Sequence, residues 1–214
     1  MGEVGCSLCL EIAGHETGVC PEYDSIINTG CHILADYGSN VLIPSIGSLC
    51  PGHVLLCPKQ HIASYRSSIR PNVTTDLPTA IDAVKDKFKC QAVAFEHGTA
   101  ADGKCRSACI DHAHIHIIPT SKALRPLIAI PRVLASQHYY LPPSNLDYTY
   151  LRDIDGHEFL LAVNESQYLR KIWSLANGGI QWNWRMNHGI DNIRQTIHAW
   201  HAEGGGQPDA FGAV

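Results

Sequence analysis

Short apolar runs separated by turn residues dominate the first half of the chain and predict antiparallel strands. Cys31-His-Ile-Leu-Ala-Asp36 reads as a strand, Tyr37-Gly-Ser39 as its turn and Asn40-Val-Leu-Ile-Pro44 as the return. A loop from Ser45 to Gly52 leads into the strand His53-Val-Leu-Leu-Cys57, and Pro58-Lys-Gln-His61 leads out of the sheet. The period then changes. Asp76-Leu-Pro-Thr opens a helix with proline near its first turn, where a missing N–H costs no hydrogen bond. Leu77, Ile81, Val84 and Phe88 fall at helical spacing as its buried stripe, with Asp82, Lys85, Asp86 and Lys89 toward water. The strand Gln91-Ala-Val-Ala-Phe95 and a polar loop to Arg106 follow.

Asp111-His-Ala-His-Ile-His-Ile-Ile-Pro119 is the most distinctive stretch. In a strand, alternate side chains share a face, so His112, His114 and His116 would line one side while Ala113, Ile115 and Ile117 enter a core. Such an array can hold a nucleophile or a metal. A histidine-rich strand without either role is the plain alternative in a chain with 13 histidines.

Leu127 to Ser136 reads as a short helix. Asp147-Tyr-Thr-Tyr-Leu-Arg152 and His157-Glu-Phe-Leu-Leu-Ala-Val163 flank Asp153-Ile-Asp-Gly156 as a hairpin. Ser166 is placed to cap a helix ending at Ala176, before Gly178-Gly179. Gln167, Arg170 and Lys171 open that helix and read as an exposed basic face, with a phosphate contact as the alternative. Trp182, Trp184 and Trp200 read as packing residues, and a last helix runs from Ile190 to about His201. Hairpins followed by a helix joined directly to strands make the class α+β. The organisation expected is a core over 1–125, an extension over 126–203 packed on it within the same domain, and a flexible tail over 204–214.

Composition narrows the function classes. A chain of 214 residues that is 45% apolar and 17% charged can bury a core. A net charge of −4 speaks against extended nucleic acid and anionic membranes as partners, while leaving room for a local phosphate site. The chain has no apolar run of membrane-spanning length, and its start lacks the pattern of a signal peptide. A cytoplasmic protein is expected, in which nine cysteines serve as thiols or metal ligands and not as a disulfide framework. Cys6-Ser-Leu-Cys9 reads as half of a zinc site, a redox pair, or two neighbouring buried thiols.

His112-Ala-His114-Ile-His116-Ile117-Ile118 resembles the signature of the histidine triad superfamily, and Pro51-Gly-His-Val-Leu-Leu-Cys-Pro-Lys-Gln-His61 is similar to its upstream segment. Phe95-Glu-His-Gly98, Gln167-Tyr-Leu-Arg170 and Trp182-Asn-Trp-Arg185 resemble a longer bacterial subgroup. The resemblance implies a half-barrel of antiparallel strands with packed helices, a hairpin-plus-helices extension, a homodimer, and nucleotidyl chemistry at an α-phosphate. His114 would be the nucleophile and His116 its phosphate-side partner, acting on a small nucleotide conjugate. Ser45, Gly98, Cys109 and Gln167 would contact substrate; Ser45 and Cys109 replace an acidic and a polar residue usual in the family. The zinc-bearing branch, which includes galactose-1-phosphate uridylyltransferases, implies one structural zinc per chain on Cys6, Cys9, His61 and His112, with Cys105 and Cys109 as rival ligands. Hydrolysis is the expected reaction. Nucleotidyl transfer, phosphorolysis, or nucleotide binding without turnover are the alternatives.

Overall fold

The computed structural model describes residues 5–65, 72–98, 112–128, 133–135, 148–161, 163 and 165–202. In chain order the elements are α1 (Ser7–Ile12), α2 (Pro21–Asn28), β1 (Ala35–Asp36), β2 (Asn40–Pro44), β3 (Val54–Pro58), α3 (Val73–Phe88), β4 (Ala92–Gly98) and β5 (Ile115–Pro119). A 3-10 turn at Arg125–Leu127 precedes β6 (Val133–Ala135), β7 (Tyr148–Arg152), β8 (Glu158–Leu161), α4 (Tyr168–Ala176) and α5 (Ile190–His201). The α+β class and the antiparallel sheet hold. The eight strands form one sheet in the order β1-β2-β3-β5-β4-β7-β8-β6. Every neighbouring pair in it is antiparallel.

Strand alternation sorts the sheet into two faces. Val54, Leu56, Ala94, Ile115, Ile117 and Tyr150 pack against Leu77, Ala80, Ile81 and Val84 of α3. Val93, Phe95, Ile118 and Leu151 meet Leu169, Ile172 and Trp173 of α4 on the opposite side. At that side's N-terminal end, Leu8 of α1 joins Val41, Ile43 and Leu55. Across the ladder from Leu55 and Phe95 sits His116, which therefore shares their face.

Four local expectations change. Only Ala35–Asp36 of the 31–36 segment pairs as strand. Helix α3 begins at Val73, so Pro78 lies within it and forgoes a hydrogen bond to the fourth residue back. That costs about 3 kcal/mol, whereas each fully buried Leu, Ile or Val offsets about 1.5–3. With Val73, Leu77, Ile81 and Val84 all buried, packing wins. Of the helix expected over 127–136, the described residues are instead the end of the 3-10 turn and strand β6. The residue before α4 is Gln167, in left-handed conformation, and not Ser166. Helix α2 buries one helical stripe through Tyr23, Ile26 and Ile27.

The 45–52 loop is clamped from behind by the extension. Gly47 N–H donates to His188 O at 2.7 Å, and Asn192 Nδ2 donates to Ser48 O at 3.0 Å. Gly47 has φ +73°, and a Cβ there would lie 2.2 Å from Trp184 Cβ. Only glycine fits that approach. The expected tail over 204–214 and the residues Lys104, Cys105, Arg106 and Cys109 lie outside the described residues.

Candidate active site

Strand β5 is held on both sides, by β3 and by β4, which fixes the backbone that carries His116. His114 and His112 precede its first laddered residue, Ile115, and their own hydrogen bonds orient them. The Nδ1 of His114 lies 2.7 Å from His112 O. A carbonyl only accepts, so Nδ1 carries the proton and Nε2 keeps the lone pair. Burial lowers the pKa of His114, which favours the neutral ring.

The state of His116 follows from a chain of partners. Leu49 N–H donates to His53 Nδ1 at 3.1 Å, so the proton of His53 is on Nε2. That Nε2–H faces His116 Nδ1 at 2.9 Å. His116 Nδ1 therefore accepts, and its Nε2 carries the remaining proton as a donor. Burial, first of all, holds both His53 and His116 well below the usual histidine range. Phe95 stacks on His116 at 4.8 Å between centroids, and the His114 and His116 rings meet edge to face at 5.1 Å. A nucleophilic nitrogen and a donor nitrogen thus stand side by side.

His114 and His116 line a cavity whose other walls include Glu11, Ser45, Gln167, Arg170 and Trp184. The cavity therefore draws on α1, the 45–52 loop and the C-terminal extension. Glu11 is buried; the Tyr23 hydroxyl donates to it, and burial pushes its carboxyl up to about 8.

Cys6, Cys9, His61 and His112 form a separate cluster, with one ligand atom from each lying within 4.8 Å of the others. Cys6 Sγ and Cys9 Sγ stand 3.5 and 3.3 Å from His112 Nδ1, and Cys9 Sγ is 3.4 Å from His61 Nδ1. A tetrahedron with Zn–S near 2.3 Å and Zn–N near 2.0–2.1 Å has S···N edges of about 3.5 Å. His112 Nε2–H donates to Pro58 O at 2.8 Å, which leaves Nδ1 unprotonated toward the sulfurs. Two thiols and two such imidazoles are a metal-binding donor set, and the residues fit the group.

The sequence profile of the HIT domain matches residues 29–123, the segment that carries the triad and the Pro-Gly-His loop. The likeness to the histidine triad (HIT) superfamily is carried by that segment, somewhat under half of the chain. A bis(5'-adenosyl)-triphosphatase from Dictyostelium discoideum is 32% identical over 75 residues, 34% of this chain. The match spans about half the length of that relative, 48%. Two solved structures are also similar. A Hit-like protein involved in cell-cycle regulation from Bartonella henselae has 20% identity and a TM-score of 0.33, over 45% of this chain and 77% of that one. A hypothetical histidine triad nucleotide-binding protein from Sulfolobus tokodaii strain7 has 23% identity and a TM-score of 0.33, over 47% and 68% of the two chains.

The residues expected from the sequence do not all meet at the cavity. His114, His116, Ser45 and Gln167 all line the cavity. Ser45 is 1% exposed and its hydroxyl donates to Ile46 O at 3.2 Å. Gln167 Oε1 accepts from Trp184 N–H at 3.3 Å, tying the two cavity walls together. Gly98 is buried at the end of β4, where a Cβ would strike the Tyr148 ring. Cys109 lies outside the described residues. His112 points its Nδ1 at the cysteines, whereas His114 and His116 line the cavity.

Several contributors were not legible as such. His53 was part of the recognised segment, yet its hydrogen bond to His116 spans 63 residues and leaves no local pattern. Glu11 and Tyr23 reach the cavity from the two N-terminal helices. Trp184, read as packing, is a wall of the cavity. Arg170 corrects the reading of an exposed basic face: it is 3% exposed, whereas Lys171 remains at the surface against Glu165.

Proposed function

We propose that this protein is a HIT nucleotidyl hydrolase that cleaves a nucleotide conjugate at its α-phosphate through a covalent His114 adduct. The single observation that carries the reading is the 2.7 Å contact of His114 Nδ1 with His112 O, which leaves an unprotonated Nε2 on a ring lining the cavity. A neutral imidazole nitrogen is nucleophilic near neutral pH and is also a competent leaving group.

In the first step His114 Nε2 forms a bond to the α-phosphorus as the bond from phosphorus to the leaving oxygen breaks. His116 Nε2–H donates toward that oxygen, easing its departure. In the second step water attacks phosphorus, the P–N bond breaks, and a nucleoside monophosphate leaves with His114 restored. Ser45 and Gln167 would contact the nucleotide within the cavity, with Gly98 and Cys109 contributing from the end of β4 and the segment after it. The metal held by Cys6, Cys9, His61 and His112 would be zinc, with all four positions filled by protein and a structural role. A cytoplasmic homodimer completes the reading; sedimentation at working concentration tests the dimer.

The relative named as a bis(5'-adenosyl)-triphosphatase supplies the first substrate to try. Incubation with bis(5'-adenosyl) triphosphate should release AMP and ADP in water alone, and quenching in alkaline denaturant, where a P–N bond survives, should trap an adenylylated protein. His114→Ala should do neither. Product formed only when phosphate or a sugar phosphate is supplied would replace hydrolysis by transfer. Binding without turnover of any nucleotide conjugate would sink the enzymatic reading.

A further inference from the structure

The cavity has a half that the histidines do not build. Leu8 and Glu11 of α1, Thr17 and Val19 of the connection after it, and Tyr23 of α2 line that half. All five precede the 29–123 segment that carries the HIT likeness. Asp24 holds the connection in shape: its carboxyl accepts from Thr17 N–H and Thr17 Oγ1–H, both at 2.8 Å, and from Gly18 N–H at 3.1 Å.

Glu11 brings a carboxyl to this half, and its residue is 3% exposed. The Tyr23 hydroxyl donates to Oε1, and no hydrogen bond from a described residue reaches Oε2. The backbone beneath it is fixed, because Glu11 O accepts from His32 Nε2–H and from Gly14 N–H, each at 2.9 Å. Tyr23 Oη stands 3.2 Å from Pro44 O. Pro44 pairs with Val54, and Val54 with Ile117, the neighbour of His116. Two strand spacings, about 10 Å, therefore separate the surroundings of this carboxyl from the histidine strand. Leu55 spans the gap: it lies across the ladder from His116, packs with Leu8 and lines the same cavity.

A carboxyl held out of water is costly unless donors meet its oxygens. Apolar walls with a few placed polar groups are the usual form of a small-ligand pocket, the polar groups choosing the ligand. In a nucleotide the sugar follows the α-phosphate through one methylene carbon, and its hydroxyls are the first donors beyond it. With phosphorus at His114, those hydroxyls lie on the way to Glu11. A sugar hydroxyl both donates and accepts, so it can satisfy the second oxygen whether the carboxyl is ionised or not.

We propose that Glu11 is a specificity-determining residue that hydrogen-bonds a ribose hydroxyl of the nucleotide, which makes the N-terminal half of the cavity its sugar-reading pocket. The proposal rests on the nucleotidyl reading and gives residues 7–23 a task in choosing the substrate. Tyr23 becomes the residue that aims the carboxyl, leaving Oε2 for the sugar.

The test uses the full chain, with AMP against 2',3'-dideoxy-AMP for binding and bis(5'-adenosyl) triphosphate for turnover. The wild type should bind AMP about ten- to a hundredfold more tightly than the dideoxy analogue. Glu11→Met, which keeps the length and loses the oxygens, should bind both alike and raise KM more than it lowers kcat. Glu11→Gln, whose amide can still meet a hydroxyl, should restore part of the preference. Because the Tyr23 hydroxyl also leans on Glu11, Glu11→Met can fail to fold, and the unsubstituted chain then decides. The side-chain carboxyl carbon resonance of Glu11 should shift on adding AMP and stay still with dideoxy-AMP. A folded Glu11→Met that keeps the full preference, a wild type without any preference, or a carboxyl resonance that does not tell the two ligands apart overturns the proposal, while turnover by the wild type keeps the nucleotidyl reading. A wild type that neither binds nor cleaves any nucleotide overturns both.

Discussion

His53 Nε2 lies 2.9 Å from His116 Nδ1, and His53 Nδ1 accepts from Leu49 N–H. One backbone amide in the 45–52 loop therefore dictates which nitrogen of His116 carries a proton. Nothing about the triad strand alone would set it.

Removing His53 should leave His116 free to take the wrong tautomer. His53→Ala is expected to lower kcat by about ten- to a hundredfold, in line with losses on removing residues that orient a site's ligands. The double variant with His116→Ala should be little slower than His116→Ala alone. Steady-state rates on the two single variants and the double variant check this, and additive losses would refute the relay.

Stability should fall in mild acid. His53 and His116 have folded pKa values well below the unfolded value of about 6.5. Below about 6.5 the unfolded chain takes up protons that the folded one does not, so folding weakens as pH drops. Each such histidine contributes up to about 1.4 kcal/mol per pH unit. Glu11 works in the opposite sense: its carboxyl is raised to about 8, so its contribution is lost as pH rises toward that value. Between about pH 6.5 and 5 the two histidines outweigh it. Urea midpoints at pH 7.5, 6.5 and 5.5 should descend below 6.5; a flat series would show that these rings are not buried neutral.

Metal removal should reach His114 through one peptide unit. His112 faces the cysteines with its ring and accepts the His114 proton donor with its carbonyl. Cys6→Ser is expected to lose bound zinc, measured by elemental analysis, and to lower the melting temperature and kcat together. Full zinc content in that variant would remove Cys6 from the ligand set.

Gly47→Ala should be severe for so small a change. The substitution forces a side chain into positive φ and against Trp184 Cβ. Strain of about 1–3 kcal/mol from the backbone adds to the overlap with Trp184. Thermal melting should show a loss of several degrees, accompanied by slower turnover because Gly47 O also orients Arg170 in the cavity wall. A change under one degree would mean the loop and the 182–184 segment are not rigidly joined.

What the sequence displayed was what repeats locally. Ile115 and Ile117 alternate with His116, and Leu77, Ile81 and Val84 recur at helical spacing; burial follows both patterns. The Cys6, Cys9, His61 and His112 set came from resemblance, and the four residues do converge. Local pattern failed where a distant partner decides. Ile33 and Leu34 look like strand, but only residues 35 and 36 find ladder partners. Arg170 sits beside Lys171 in a polar helix start, and its burial depends on Gly47, 123 residues earlier. Helix α2 has too few turns for its stripe to stand out between glycine-rich flanks.

The position of β5 in the strand order has a last consequence, for how the molecule comes apart. Three strands lie on one side of it and four on the other, and the sheet's two borders are a two-residue and a three-residue strand. Short borders fray first, because few hydrogen bonds must break together for them to open. Amide exchange should therefore run inward from β1 and β6 and reach the Ile115–Pro119 backbone last. A molecule caught with either margin loosened would still carry His116 on an intact ladder between β3 and β4.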